Sequence, residues 1–187
     1  MDSERRGLFR RVFGTWLGEV VERTEERVVA RRYLRPPGAL PEIGFLAACT
    51  RCGACAEVCP PHAILTVRPD GGLAAGTPYL DITVQPCTVC PDMPCAEACP
   101  TDALIRPAAG WSGYRLAALT LDPERCITFH GNACGVCAGV CPVGEAALAI
   151  DAGGHPVIRQ EGCVGCGLCV RACVTTPSSL RLTIAEG

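Results

Sequence analysis

The stretch Cys49–Pro60, CTRCGACAEVCP, places four cysteines in the spacing C-x2-C-x2-C-x3-C and follows the last of them with proline. Disulfide scaffolds scatter their cysteines so that they can staple distant loops. Thiols this close along the chain converge more easily on one metal centre. The stretch therefore predicts metal ligation by a compact cysteine loop.

The same arrangement occurs four times and uses all 16 cysteines of the 187-residue chain. The motifs span residues 49–59, 87–99, 126–141 and 163–173, with a wider middle gap in the second and a wider first gap in the third. We predict that every cysteine is a ligand. The predicted ligands are Cys49, Cys52, Cys55, Cys59, Cys87, Cys90, Cys95, Cys99, Cys126, Cys134, Cys137, Cys141, Cys163, Cys166, Cys169 and Cys173.

The composition indicates a chain of turns around a thin apolar core, because aromatic residues make up only 5% beside 21 glycines and 16 prolines. Metal centres can replace such a core, since the free energy of metal binding then becomes free energy of folding. The net charge of −2 does not indicate a nucleic-acid partner. No apolar run of about 18 residues occurs, so we predict no transmembrane helix.

Short apolar runs flank the cysteine motifs. HAILTV, DALIRP, AALAID and SLRLTI follow the four motifs in turn, while PYLDITV, LAALTLD and HPVIRQ precede the last three. Glycine and proline clusters lie between the runs, which is the pattern of strand, turn, strand and cysteine loop. We also predict that the stretch from the third to the fourth cysteine of each motif begins a short helix.

The spacing of the first motif is the bacterial ferredoxin signature for a [4Fe–4S] cluster. Three cysteines on a tight loop wrap three corners of the cube, and the fourth ligates a neighbouring cluster. Four motifs therefore predict four [4Fe–4S] clusters. Spacing alone leaves two exchanges of the fourth cysteine open: sequential (first with second, third with fourth) or nested (first with fourth, second with third).

Zinc is the alternative for four thiols in one region of a chain. A four-cysteine zinc site usually joins two CxxC pairs that lie about a dozen or more residues apart. Three cysteines on one tight loop, followed by a fourth and a proline, do not match that arrangement. The spacing favours iron–sulfur clusters over zinc.

The wide gaps of the second and third motifs, with LRPPGALPEIGFLAACTRCG and TPYLDITVQPCTVCPDMPC, resemble the NapG/MauM-type polyferredoxins of periplasmic nitrate reductase and methylamine-utilisation systems. The resemblance runs from Leu34 to the C-terminus and includes every cysteine. The chain is similar, more loosely, to NapF-type proteins and to the four-cluster subunits of molybdopterin oxidoreductases. These resemblances imply nested exchange and an electron conduit between a quinol-side partner and a terminal enzyme.

Residues 1–33 carry an apolar stripe at helical spacing, with arginines clustered near its start. We predict an amphipathic helix that docks on a redox partner or catalytic subunit, with an anionic membrane surface as the alternative. Residues 34–41 are rich in proline and are predicted to form a stiff linker. The stripe comprises Leu8, Phe9, Val12, Phe13, Trp16, Leu17, Val20 and Val21.

The same N-terminal segment bears on cellular location. Arg5 and Arg6 are followed by an apolar stretch that Glu19 and Glu22 interrupt, so a twin-arginine export signal is not indicated. We therefore expect a cytoplasmic protein, peripheral to the inner face of the membrane if the helix lies on lipid.

These features predict an α+β fold in which tandem bacterial ferredoxin-like [4Fe–4S] units form two pseudo-symmetric dicluster modules over residues 42–187. The predicted function is an electron carrier that relays single electrons between redox partners, as a subunit or partner of a larger oxidoreductase. No nucleophile, paired carboxylates or phosphate loop indicate a substrate site, so we do not expect an enzyme. The alternative is an accessory protein that helps to load iron–sulfur centres into a partner oxidoreductase.

Overall fold

The computed structural model describes residues 33–184 of the chain. The helix predicted within residues 1–33 lies outside this range apart from Tyr33, so that prediction is not tested. Within the described range, no helix combines the length and the apolar character needed to cross a membrane.

The described residues form five short α-helices. Helix α1, Glu42–Ala48, leads into the first cysteine motif, and each of the other four contains the third cysteine of a motif. The prediction of a short helix after the third cysteine is thus confirmed in all four motifs. These helices are α2 (Ala54–Glu57), α3 (Pro94–Glu97), α4 (Val136–Gly139) and α5 (Leu168–Ala172).

The described residues also form three antiparallel sheets of two strands each. The first motif is followed by β1 (Ile64–Thr66), which pairs with β2 (Pro78–Leu80). The third motif is flanked by β3 (Ala117–Leu121), which pairs with the last strand, β6 (Leu180–Ile184). Between the third and fourth motifs, β4 (Leu148–Ile150) pairs with β5 (Pro156–Ile158). We call residues 33–106, which contain the first two motifs, the first module, and residues 116–184, which contain the last two, the second module.

Six of the seven apolar runs contain the predicted strands, and DALIRP does not. Leu104 in that run makes only an isolated antiparallel bridge to Ala39. The segment opposite begins with Pro36 and Pro37, which have no N–H to donate to a sheet. A strand prediction based on the run alone could not include this missing partner.

The segment predicted as a linker, residues 34–41, is instead part of the first module. Leu34 bridges Leu80 of β2, and residues 34–38 are buried. Arg35 is 1% exposed, and its guanidinium donates to Glu42 (Nε–Oε2, 3.0 Å) and to the Thr77 hydroxyl (2.8 Å). These contacts anchor the segment because a buried charge must be paired and hydrogen-bonded.

The apolar core is small and includes the cysteines themselves. In the first module, Phe45, Leu80 and Met93 pack with Cys55, Cys59 and Cys95. In the second module, Leu119, Leu148 and Leu180 pack with Cys163 and Cys169. The apolar core of each module therefore includes several of its cysteines.

Candidate iron–sulfur centres

The sixteen cysteines line four chambers of similar size, each with four thiols and about 320–370 Å³ of space between the protein atoms. We call them chambers A to D. Chamber A is lined by Cys49, Cys52, Cys55 and Cys99, and chamber B by Cys59, Cys87, Cys90 and Cys95. Chamber C is lined by Cys141, Cys163, Cys166 and Cys169, and chamber D by Cys126, Cys134, Cys137 and Cys173.

This grouping is a sequential exchange, so the nested exchange implied by the resemblance is wrong. Chamber A takes its fourth thiol, Cys99, from the second motif, and chamber B takes Cys59 from the first. The pairing of β1 with β2 explains the exchange, because it folds the chain back between the first two motifs. The β4–β5 pair does the same between the third and fourth motifs.

In three of the motifs the loop turns tightly after its first cysteine, because the residue two positions further on adopts a left-handed conformation. Two positions after the first cysteine, φ is 61° at Arg51, 57° at Val89 and 69° at Gly165. Positive φ is costly for a β-branched residue such as Val89, so the rest of the loop must hold it there. The third motif replaces this turn with a 3₁₀ turn, Ile127–His130, which accommodates its wider gap.

The chambers fit a cube better than a single ion. Among residues 33–184, no three His, Cys, Asp or Glu side chains converge closely enough to hold one metal ion. Four thiols line each chamber, and none of the sixteen, all within the described range, is in a disulfide. Backbone N–H groups donate to sulfur, from Ala63 to Cys59 (3.4 Å) and from Leu104 to Cys99 (3.5 Å). Such hydrogen bonds help to set the reduction potential of an iron–sulfur cluster.

Burial keeps several thiols protonated in the absence of metal. Burial, reinforced by Cys87 and Cys59, raises the pKa of Cys95 to about 12. Burial and the other thiols of chamber C raise the pKa of Cys169 to about 12 as well. Because thiolate is the ligand form, iron must displace these protons when it binds.

The environment of Cys173 in chamber D has the opposite effect. Burial acts to raise the pKa of this thiol, but hydrogen bonds from Ser179, Thr175 and Ser178 outweigh it and lower the pKa to about 6. These hydroxyl groups are not among the site residues predicted from the sequence. A threonine two residues after a cysteine, at Thr101, Thr128 and Thr175, was the available signal.

The two modules meet between chambers B and C. The Cys87 N–H donates to the carbonyl of Cys166 (3.2 Å). A glycine permits this approach, since a Cβ on Gly167 of the second module would lie 2.9 Å from the Ile82 Cβ of the first. Helix α2, which carries Cys55 of chamber A, contacts helix α3, which carries Cys95 of chamber B. Helices α4 and α5 contact each other in the same way between chambers D and C. The chambers therefore follow one another in the order A, B, C, D.

Burial of the thiols differs between the inner and outer chambers. Chamber C has three buried cysteines and chamber B has two, whereas A and D have one each. Of the sixteen cysteines, only Cys52 in chamber A is exposed. The ends of the row are therefore its most accessible parts.

Two tandem modules, each with two four-cysteine chambers, define a double dicluster iron–sulfur protein. Residues 48–103 and residues 118–174 each match the 4Fe-4S dicluster domain. The match supports [4Fe–4S] clusters as the cofactors of both modules.

Relatives cover most of the chain. The ferredoxin-type protein NapG of Escherichia coli (strain K12) is 36% identical over 168 residues, which cover 82% of this chain and 73% of the relative. The methylamine utilization ferredoxin-type protein MauM of Methylophilus methylotrophus is 35% identical over 201 residues, which cover 99% of this chain and 88% of the relative. MauM of Paracoccus denitrificans (strain Pd 1222) is 37% identical over 163 residues, which cover 82% and 72%.

The chain belongs to the NapG/MauM family of ferredoxin-type proteins. The family predicted from the sequence is thus confirmed. Its members are iron–sulfur electron carriers and not enzymes with a substrate site of their own. The assignment of each individual cysteine as a ligand stays a prediction.

Proposed function

We propose that this protein holds four [4Fe–4S] clusters in a row and relays single electrons along it between two redox partners. In this proposal the sixteen cysteines are the ligands, four to each of chambers A to D. The partners are an electron donor and the catalytic part of a larger oxidoreductase, one at each end of the row. The clusters supply the one-electron chemistry, and the polypeptide sets their order and spacing.

The contact between the modules is the observation that carries this proposal. Cys87 belongs to chamber B and Cys166 to chamber C, and their backbones are joined by a hydrogen bond of 3.2 Å. Within a module, Cys55 lies in helix α2 and lines chamber A, while Cys59 follows the end of that helix by two residues and lines chamber B. Four residues of helix would advance only about 6 Å. Each chamber therefore lies close to the next along the whole row, and an electron relay requires such short distances between its centres.

An anaerobic iron count with a redox titration tests the proposal. Four cubes would give about sixteen iron atoms per chain. Electron paramagnetic resonance (EPR) should resolve four one-electron centres, with magnetic coupling between neighbours. Zinc in place of iron, or iron for only two cubes, would contradict the proposal.

The accessory role remains the second candidate because chamber A is partly open. Cys52 is exposed, so a thiol of an apoprotein could reach the cluster held there. Anaerobic mixing with a partner separates the two functions. A relay passes electrons and keeps its iron, and co-purifies with a catalytic subunit in a fixed ratio. A loading protein transfers iron to the apoprotein and binds it only transiently.

Residues 1–33 supply the docking element in this proposal, and the cytoplasm is the proposed location. The docking element is proposed from the apolar stripe beside Arg10 and Arg11. The location is proposed because Glu19 and Glu22 interrupt the apolar stretch that an export signal would need. A chain that starts at residue 34 should keep its iron and lose its partner. Vesicles with anionic lipid test the membrane alternative, because only lipid docking predicts that the full chain binds them and the shortened chain does not.

A further inference from the structure

Chambers C and D belong to the same module but have different linings. Chamber D has hydroxyl groups at two of its sulfurs: Thr128 Oγ1 lies 3.2 Å from Cys126, while Thr175 Oγ1 and Ser179 Oγ lie 3.2 and 3.3 Å from Cys173. Apart from its cysteines, chamber C is lined only by apolar residues and glycine: Leu119, Pro142, Val143, Ala147, Leu148, Val164, Gly165, Gly167 and Leu182.

The hydroxyl groups must be the donors once iron is bound. A cysteine that ligates iron has lost its proton and can only accept a hydrogen bond. The Thr175 hydroxyl already accepts the Ser179 N–H (3.0 Å), which leaves its own proton to point at Cys173. Three O–H donors therefore face two ligand sulfurs in chamber D.

Two of these three donors are buried. Ser179 is 3% exposed and Thr128 is 8% exposed, and they are two of the four buried polar side chains in the described range. A buried hydroxyl needs a hydrogen-bond partner, and for each of these two a cysteine sulfur supplies it.

Other influences do not offset this difference. Neither chamber is lined by a charged side chain. A backbone N–H acts on a sulfur in both, from Leu168 on Cys166 and from Ala138 on Cys137. Three of the four thiols are buried in chamber C but only one in chamber D. Burial in an apolar site disfavours added negative charge, so it acts in the same direction as the hydroxyl groups.

We propose that Thr128, Thr175 and Ser179 give the cluster of chamber D a more positive reduction potential than the cluster of chamber C. Reduction adds one negative charge, which hydrogen bonds to the ligand sulfurs stabilise. A one-electron donor protein supplies an electron, which enters the second module from chamber B. The electron is then held in chamber D, at the outer end of the row. One electron then leaves chamber D for a one-electron acceptor protein, and both chambers return to their oxidised state.

This inference rests on the proposed function and fixes the direction of flow within the second module. Its test is an EPR-monitored titration of the anaerobic full-length protein with dithionite as reductant. Cys134→Ser replaces a ligand of chamber D and identifies which signal belongs to that chamber. In the unmodified protein, the chamber D signal should appear at a more positive potential than that of chamber C.

The variants Ser179→Ala and Thr128→Val then remove one donor each. Each should move the potential of the chamber D signal in the negative direction, and the double variant should move it further. The other three signals should not move. Thr120→Val is the matched control, because its hydroxyl is exposed on β3 and donates to the Arg181 carbonyl instead of a sulfur.

Two results would overturn the inference: a chamber C signal more positive than that of chamber D, or an unchanged chamber D potential in both single variants. A deficit of iron in the unmodified protein would instead overturn the proposed function. Iron content measured in every sample separates a change of potential from a loss of clusters.

Discussion

In the second module the segments outside the two motifs pair over five residues, from Ala117 with Ile184 to Leu121 with Leu180. In the first module the corresponding segments make one isolated bridge between Ala39 and Leu104. Each arrangement contributes to the lining of the outer chamber of its module, through Leu104 in chamber A and through Leu121 and Leu180 in chamber D. The two modules therefore reach the same cysteine geometry with different amounts of sheet.

The first module replaces the missing sheet with a helix and an ion pair. Helix α1 supplies Phe45, which is fully buried and lines chamber A. The Arg35 guanidinium lies 4.6 Å from the centre of the Phe45 ring and binds Glu42 at the start of the same helix. In both modules, segments outside the motifs therefore support the cysteine loops, but the secondary structure of those segments differs.

The largest expected effect comes from removing the outer ligand that each module exchanges. Cys99→Ala should empty chamber A, and Cys173→Ala should empty chamber D. Iron should fall from about sixteen to about twelve atoms per chain in each case, since one cube holds four. The measurement is iron content with EPR of the remaining centres.

The coupling pattern checks the sequential exchange in the same samples. Cys99→Ala should abolish the coupling of A with B and leave that of C with D, and Cys173→Ala should do the reverse. A nested exchange predicts that Cys99→Ala disturbs a chamber built on the third motif. That outcome would remove the division into two modules on which the comparison rests.

The second expected effect is specific to the first module. Arg35→Met leaves Glu42 without its partner, and loss of one member of a buried pair typically costs about 3–5 kcal/mol. Anaerobic denaturation should show the first module unfolding at a lower denaturant concentration, with the second module unchanged. The pair Arg35→Met with Glu42→Met should recover part of the loss. Equal destabilisation of both modules would contradict the role given to this ion pair.

The third expected effect concerns the contact between the modules. Gly167→Ala adds a Cβ 2.9 Å from Ile82, which should weaken the magnetic coupling between chambers B and C while iron content is kept. Gly53→Ala is the matched control, since Gly53 has the same left-handed conformation (φ 81° against 88°) but no neighbour within 4 Å of the added atom. If both variants weaken this coupling equally, backbone strain and not the contact is responsible.

The sequence predicted the local features of both modules and missed those that depend on distant partners. The third cysteines lie in short helices because their spacing is a local property. The chamber that receives Cys99 depends on β1 pairing with β2, which cysteine spacing does not encode. Here the general resemblance indicated the wrong exchange.

Two further differences have the same origin. Leu104 lies in an apolar run, but a strand also needs a partner, and Pro36 and Pro37 limit the one available. Residues 34–41 contain three prolines typical of a linker, yet Arg35 finds Glu42 and Thr77 and fixes the segment. Composition describes how stiff a segment is, whereas its contacts decide whether it belongs to the folded body.

The smallest expected effect comes from an exposed ion pair of the first module. Arg106 binds Glu97 at 2.9 Å, but the two side chains are 44% and 57% exposed. Exposed pairs contribute about 0–1 kcal/mol and are screened by salt, so Arg106→Met should change the stability of the first module little. Arg181→Met in the second module, 3.9 Å from Asp122 and 58% exposed, should behave alike. Denaturation of both variants beside Arg35→Met compares the same substitution at buried and exposed positions. A loss at Arg106 as large as that at Arg35 would mean that burial does not explain the first module's dependence on its ion pair.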